Sequence, residues 1–149
     1  MSLTSVLDIA GSGMNAQSIR LNTTASNIAN AESASSSVDE TYRARKPWFA
    51  VLEKEQSNIN SQDEAFMQSA EGSGAGVQVM GIVEKDSPLQ MRFQPNHPMA
   101  NDDGYVYYPN VNVVEEMTDM MSSSRSYQMN IEVLKTAKQM LQRTLTLGQ

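Results

Sequence analysis

Two stretches of the chain, one at each end, carry apolar residues at helical spacing. Near the start, Leu7, Met14, Leu21 and Ile28 recur every seven residues, with Leu3, Ala10, Gln17, Thr24 and Ala31 at the companion positions. One apolar row beside a small or polar second row is a thin heptad seam. It predicts a helix over 3–30, about 40 Å long at 1.5 Å per residue. Gly11 and Gly13 each weaken a lone helix by about 1 kcal/mol relative to alanine. Ser12, Asn15, Ser18, Asn22, Thr23, Ser26 and Asn27 add short polar side chains with little helix preference. Such a helix is marginal by itself, and small residues on several faces let other helices come close.

The C-terminal stretch is a stronger helix. Met117, Met120, Ser124, Tyr127, Ile131, Leu134, Lys138, Leu141 and Leu145 alternate at spacings of three and four. A second stripe runs through Val114, Met121, Val133, Met140 and Leu147. Pro109 and Asn110 signal a start, with Asn110 or Asn112 as candidate N-cap. Glu115, Glu116 and Asp119 sit in the first turns and Lys135, Lys138 and Arg143 near the end, as the macrodipole favours, and Gly148 is a plausible stop. Residues 112–147 would span about 50 Å. Two helices apolar on more than one side cannot hide that surface by pairing only with each other. Association of the termini with further chains is the expected outcome; a helical hairpin packed on the middle of the chain is the alternative.

The middle is mostly non-helical. Residues 32–41 read as a polar linker, and Tyr42–Arg45 leading into Pro47-Trp48-Phe49 as a strand or extended arm. Residues 53–76 are polar and end in Gly72-Ser73-Gly74-Ala75-Gly76, a flexible tract. Residues 77–83 alternate as a strand. Asp86-Ser87-Pro88 turns the chain, Met91-Arg92-Phe93 reads as a short return, and Tyr105–Tyr108 lies in a stretch punctuated by Pro95, Pro98, Asp102-Asp103-Gly104 and Pro109. The fold class is mainly α with a small β or extended middle.

Charge sharpens this division. The net charge is −6 over 149 residues, and all of it lies in residues 32–110, which hold twelve acids against six bases. The helical ends are each neutral. An acidic middle suits water and neutral ends suit protein contact. The acidic balance speaks against nucleic acid as a partner, because phosphate neutralisation needs a basic face. No run approaches the roughly 20 apolar residues of a membrane span. The first ten residues lack Lys and Arg, so no Sec-type signal peptide is expected. With no Cys there is neither a disulfide frame nor a thiolate metal site.

Candidate chemistry is sparse. His97, the one histidine, lies near Asp102 and Asp103, but a zinc site wants three or four ligands, and a proline-rich turn explains it better. Gly72–Gly76 lacks the Gly-Lys-Ser/Thr ending of a phosphate loop. Ser122-Ser123-Ser124 lies within the predicted helix with no nucleophile elbow and reads as small residues at a helix contact. Arg43, Arg45 and Lys46 beside Trp48 read as a solvated arm. Five of the eleven methionines (Met117, Met120, Met121, Met129 and Met140) crowd the last helix, and such a face can repack against different neighbours. No catalytic residue, metal ligand, cofactor or small-molecule substrate is implied.

Several motifs bear a family resemblance. Ala25-Ser26-Asn27-Ile28-Ala29-Asn30, after an amphipathic start, resembles the N-terminal signature of bacterial flagellar axial proteins, the rod and hook family. Residues 103–117, Ser124–Asn130 and the closing Thr144–Gln149 resemble its rod members, as do Tyr42–Arg45 and His97–Ala100. The resemblance covers about two thirds of the chain, leaving 53–76 unmatched. It implies a structural subunit of the basal-body rod, exported unfolded through the flagellar type III channel without a cleaved signal and assembled in the periplasm. It further implies that 1–31 and 111–149 pair as a coiled-coil-like rod-core domain in a helical tube, with 32–110 lying further out. The implied partners are other copies of the chain, other rod proteins and, during secretion, the export apparatus. The expected assembly interface comprises Leu7, Met14, Leu21, Asn27, Ile28, Asn30, Met117, Met120, Tyr127, Ile131, Leu134, Leu141 and Leu145. The rival is a self-contained helical-hairpin binding module, an adaptor or chaperone that is stable alone.

Overall fold

The polar residues of the first helix are accommodated locally. In the computed structural model, which describes residues 3–52 and 76–147, α1 runs Leu3–Ala29. Ser12 Oγ donates to Ile9 O and Thr23 Oγ1 to Ile19 O, both at 2.9 Å, so these hydroxyls find partners on the helix itself. The C-terminus closes when Asn30 Nδ2 donates to Ser26 O at 2.8 Å. The last helix, α2, spans Val113–Leu147 and has Asn112 as its N-cap, whose Oδ1 accepts from Val114 N at 3.1 Å. Asn110 is engaged elsewhere.

The helices pack antiparallel. Asn27 meets Glu116, and a Cβ on Gly13 would come within 2.9 Å of Asn130 Nδ2. On α2 the residues turned to α1 are spaced by seven: Glu116, Ser123 and Ala137 are buried and Asn130 half-buried. Flanking them, Met120, Tyr127, Leu134 and Leu141 are half-buried. On α1 the buried positions are Ala10, Ala16, Thr23, Thr24 and Asn27. The seam is therefore small and polar at its centre, which brings the backbones close while burying little apolar area. Two polar atoms, Gln17 Oε1 and Ser123 Oγ, are buried without a hydrogen-bond partner among the described residues. Each such atom costs about 1–3 kcal/mol, so the pairing is held by a thin margin.

The middle forms two antiparallel ribbons. β1 (Arg45–Leu52) pairs with β2 (Gly76–Glu84), with Trp48 opposite Gly81 and Phe49 opposite Val79, so Met80 is the extra residue of a bulge. β3 (Gln90–Phe93) pairs with β4 (Tyr105–Tyr108). Met91-Arg92-Phe93 is thus not a return on the preceding strand: it closes a separate hairpin whose partner lies beyond the Asp-Asp-Gly turn. Residues 32–41 are no free linker either. Ser35 forms an antiparallel bridge with Tyr107, exchanging hydrogen bonds of 2.9 and 3.0 Å, and both Ser35 and Thr41 are buried. Short hydroxyl side chains that fold back on the backbone make the segment look unstructured in sequence. Residues 53–75 and Gly148, including most of the glycine-rich tract, lie outside the described residues.

The β1–β2 ribbon lies along α1. At one end Ser12 Oγ accepts from Val77 N at 3.1 Å, beside Gly76 at φ +140°, where a Cβ would collide with that same oxygen. Midway, the Arg20 guanidinium sits 4.6 Å from the centre of the Phe49 ring. α1 is therefore covered on one side by α2 and on another by the ribbon. Among the described residues the β3–β4 ribbon packs on neither helix nor on β1–β2. Its own packing centres on the fully buried Val106 and an edge-on Phe93–Tyr105 pair at 5.2 Å. No helix among the described residues is long and apolar enough to cross a membrane.

Candidate functional site

Asn27 is wholly buried where α1, α2 and the start of β1 meet. A carboxamide offers two N–H donors and an oxygen with two lone pairs, and all four are used. Nδ2 donates to Arg45 O at 2.8 Å and to Glu116 Oε2 at 3.1 Å, while Oδ1 accepts from Arg45 N and from the Tyr42 hydroxyl, both at 2.9 Å. The side chain thereby pairs with the free edge of β1 as a neighbouring strand would, and it satisfies the buried Glu116 carboxylate. Nearby, Lys46 Nζ lies 2.9 Å from Glu115 and 3.8 Å from Asp119, tying β1 to the first turns of α2. The hydrogen bond from Lys46 holds the Glu115 carboxyl below its ordinary range, and the same bond raises Lys46, outweighing its partial desolvation.

The second feature is the part of α2 that α1 leaves uncovered. Val114, Met117, Met121, Met129, Val133, Met140 and Leu145 are all exposed, Met129 to 63%. Val6 of α1 and Met129, Val133, Ala137 and Met140 of α2, together with Glu132 and Thr136, line a largely apolar groove of about 490 Å³ between the two helices near the start of α1. An apolar groove flanked by exposed methionines marks an interaction surface.

The expected interface residues divide between these features. Asn27 is in the node. Leu7, Met14, Leu21, Ile28 and Asn30 on or beside α1 are half-buried, as are Met120, Tyr127, Ile131, Leu134 and Leu141 on α2. Met117 and Leu145 lie on the uncovered face. That face follows the second apolar stripe of the sequence, Val114, Met121, Val133 and Met140, joined by Met129. Periodicity alone ranked the other stripe first, because its leucines and isoleucine outweigh small residues that in fact line the seam. Glu116 as partner of a buried asparagine was signalled by no motif.

His97 is half-buried, and its Nδ1 accepts from Met99 N at 3.1 Å within the Pro95–Pro98 turn. No group of three or more metal-ligating side chains occurs among the described residues.

Comparison with known proteins converges on one family. Residues 7–32 match the family described as flagella basal body rod protein, and 102–147 the family described as flagellar basal body rod FlgEFG protein C-terminal. Among curated proteins, the flagellar basal-body rod protein FlgC of Salmonella typhimurium is 45% identical over the full length of both chains. FlgC of Escherichia coli O6:H1 is 43% identical, again over both full lengths, and that of Bacillus subtilis 34% over 95% of each. The chain belongs to the FlgC family of flagellar basal-body rod proteins.

Proposed function

We propose that this chain joins its neighbours in the flagellar basal-body rod through the uncovered face of α2. As a member of the FlgC family, it is a structural subunit of that rod. The observation that carries the interface is the apolar groove lined by Met129, Val133, Ala137 and Met140, with the exposed Val114, Met117, Met121 and Leu145 elsewhere on the same helix. Met117 and Leu145 of this face, with the half-buried Leu7, Met14, Leu21, Ile28, Tyr127, Ile131, Leu134 and Leu141 beside it, would meet rod neighbours. A patch on one subunit that binds a different patch on the next generates a helical tube, the architecture that can transmit torque. Other copies of the chain and other rod proteins are its partners there. The thin, partly unsatisfied α1–α2 seam supports passage through the flagellar type III export channel as an unfolded chain, followed by assembly in the periplasm. A helical hairpin that unfolds at low cost is easily threaded, and neighbours then supply the missing apolar contacts.

The test is the double change Met129→Asp and Val133→Asp, both on the groove and both exposed. Secretion and the far-UV helical signal of the purified protein should persist, while rod assembly and motility are lost. A double variant that builds motile flagella overturns the interface.

A further inference from the structure

The β3–β4 ribbon packs on neither helix nor on the β1–β2 ribbon among the described residues, and with the 33–41 segment bridged to it forms a lobe. The chain crosses between lobe and body at residues 30–32, 42–44, 85–88 and 109–112. One side chain ties the last three of these crossings together. Asn110 Oδ1 accepts from Ala44 N at 2.8 Å, and its Nδ2 donates to Lys85 O at 2.9 Å, to Ser87 O at 2.8 Å and to Ser87 Oγ at 2.9 Å. The apolar residues buried here are small or rigid: Ala44, Pro109 and Val111. Apolar burial has no directional preference, whereas hydrogen bonds weaken steeply when bent. The angle between lobe and body therefore rests on directional bonds at the crossings: four at Asn110, with Lys85 N to Ala44 O at 2.7 Å and Ser33 N to Asn30 O at 3.1 Å beside them. An open polar cleft of about 690 Å³, lined on opposite sides by groups such as Asp39, Thr41 and Glu84, leaves room for the lobe to turn.

We propose that Asn110 is a latch that sets the angle of the β3–β4 lobe, and that with the latch open the lobe turns as a unit about the four crossings. The same subunit can then present its exposed Met91, Phe93 and Met99 at more than one angle without unfolding. This goes beyond the rod-interface reading and does not depend on it.

The full-length chain contains no cysteine, so spin labels can be placed at will. Asp103→Cys in the lobe and Glu132→Cys on α2, both exposed positions, report the lobe–body distance by pulsed electron paramagnetic resonance. The otherwise unaltered chain should give one narrow distance distribution. Asn110→Ala should widen it at least twofold while the helical signal stays unchanged. A distribution that stays narrow in Asn110→Ala, or one already that broad with Asn110 in place, overturns the latch. Should Asn110→Ala lose its helical signal, Ser87→Ala decides. Removing a single bond broadens the distribution if the latch is real, and a width unchanged from the parent overturns it.

Discussion

A single buried carboxamide shows how much one residue can organise. Asn27 has every hydrogen-bonding position filled, so any replacement strands partners that burial keeps from water. Asn27→Ala leaves the Arg45 peptide and Glu116 unpaired and should cost about 2–4 kcal/mol, read as a lower urea midpoint. Asn27→Asp keeps the shape but removes both donors and sets a second carboxylate against Glu116. It should destabilise more than alanine does, and a milder effect would mean that Glu116 is not held by Asn27. The neighbouring Lys46–Glu115 pair acts at the surface and matters through pH. Glu115 titrates below its unfolded value, so its contribution is present above the ordinary carboxylate range and disappears as pH falls through the folded value. Lys46 titrates above 10.5, so its contribution is present below that value and is lost only as pH rises past it. Lys46→Met should therefore lower the melting temperature slightly at pH 7, about 0.2–1 kcal/mol for an exposed pair. Thermal melts run at successively lower pH should show the difference between the two proteins shrinking once pH falls below the ordinary carboxylate range.

At the scale of the elements, the two glycines of α1 separate helix preference from packing. A Cβ at Gly11 meets nothing within 4 Å, whereas at Gly13 it would press on the Asn130 amide. Gly11→Ala should then raise stability by about 0.5–1 kcal/mol, while Gly13→Ala forfeits that gain by displacing Asn130. Comparing the two melting temperatures checks this, and equal stabilisation would mean the helices do not approach closely at Gly13. Both long helices, the strand over 77–83 and the extended start of β1 could be read from periodicity, since those signals are local. Which stripe of α2 faces α1 could not. Residue preference favours leucine and methionine inside, but close antiparallel packing rewards the small row of Ser123 and Ala137. Strand pairing was equally hidden: β3 finds its partner across residues 94–104, and nothing in a four-residue strand encodes that choice. Glu116, too, looked like an ordinary first-turn acid favoured by the macrodipole until Asn27 was placed against it.

For the whole molecule, the division into neutral helical ends and an acidic middle was visible in charge and periodicity, and the motif around Asn27 pointed to the right family. What the sequence concealed is how those parts join, because asparagines at positions 27 and 110 look like any surface polar residue until their partners are assembled. The antiparallel pairing also has a mechanical consequence. Leu3 and the last turns of α2 lie at the same end of the hairpin, with the β lobe at the other. Pulled apart by its two ends, the molecule would unzip, breaking the α1–α2 contacts one turn at a time under a small force. Loaded between the lobe and the helix ends, the same contacts are strained together in shear. The fold is soft along the path by which it can be drawn out and stiff along its own length.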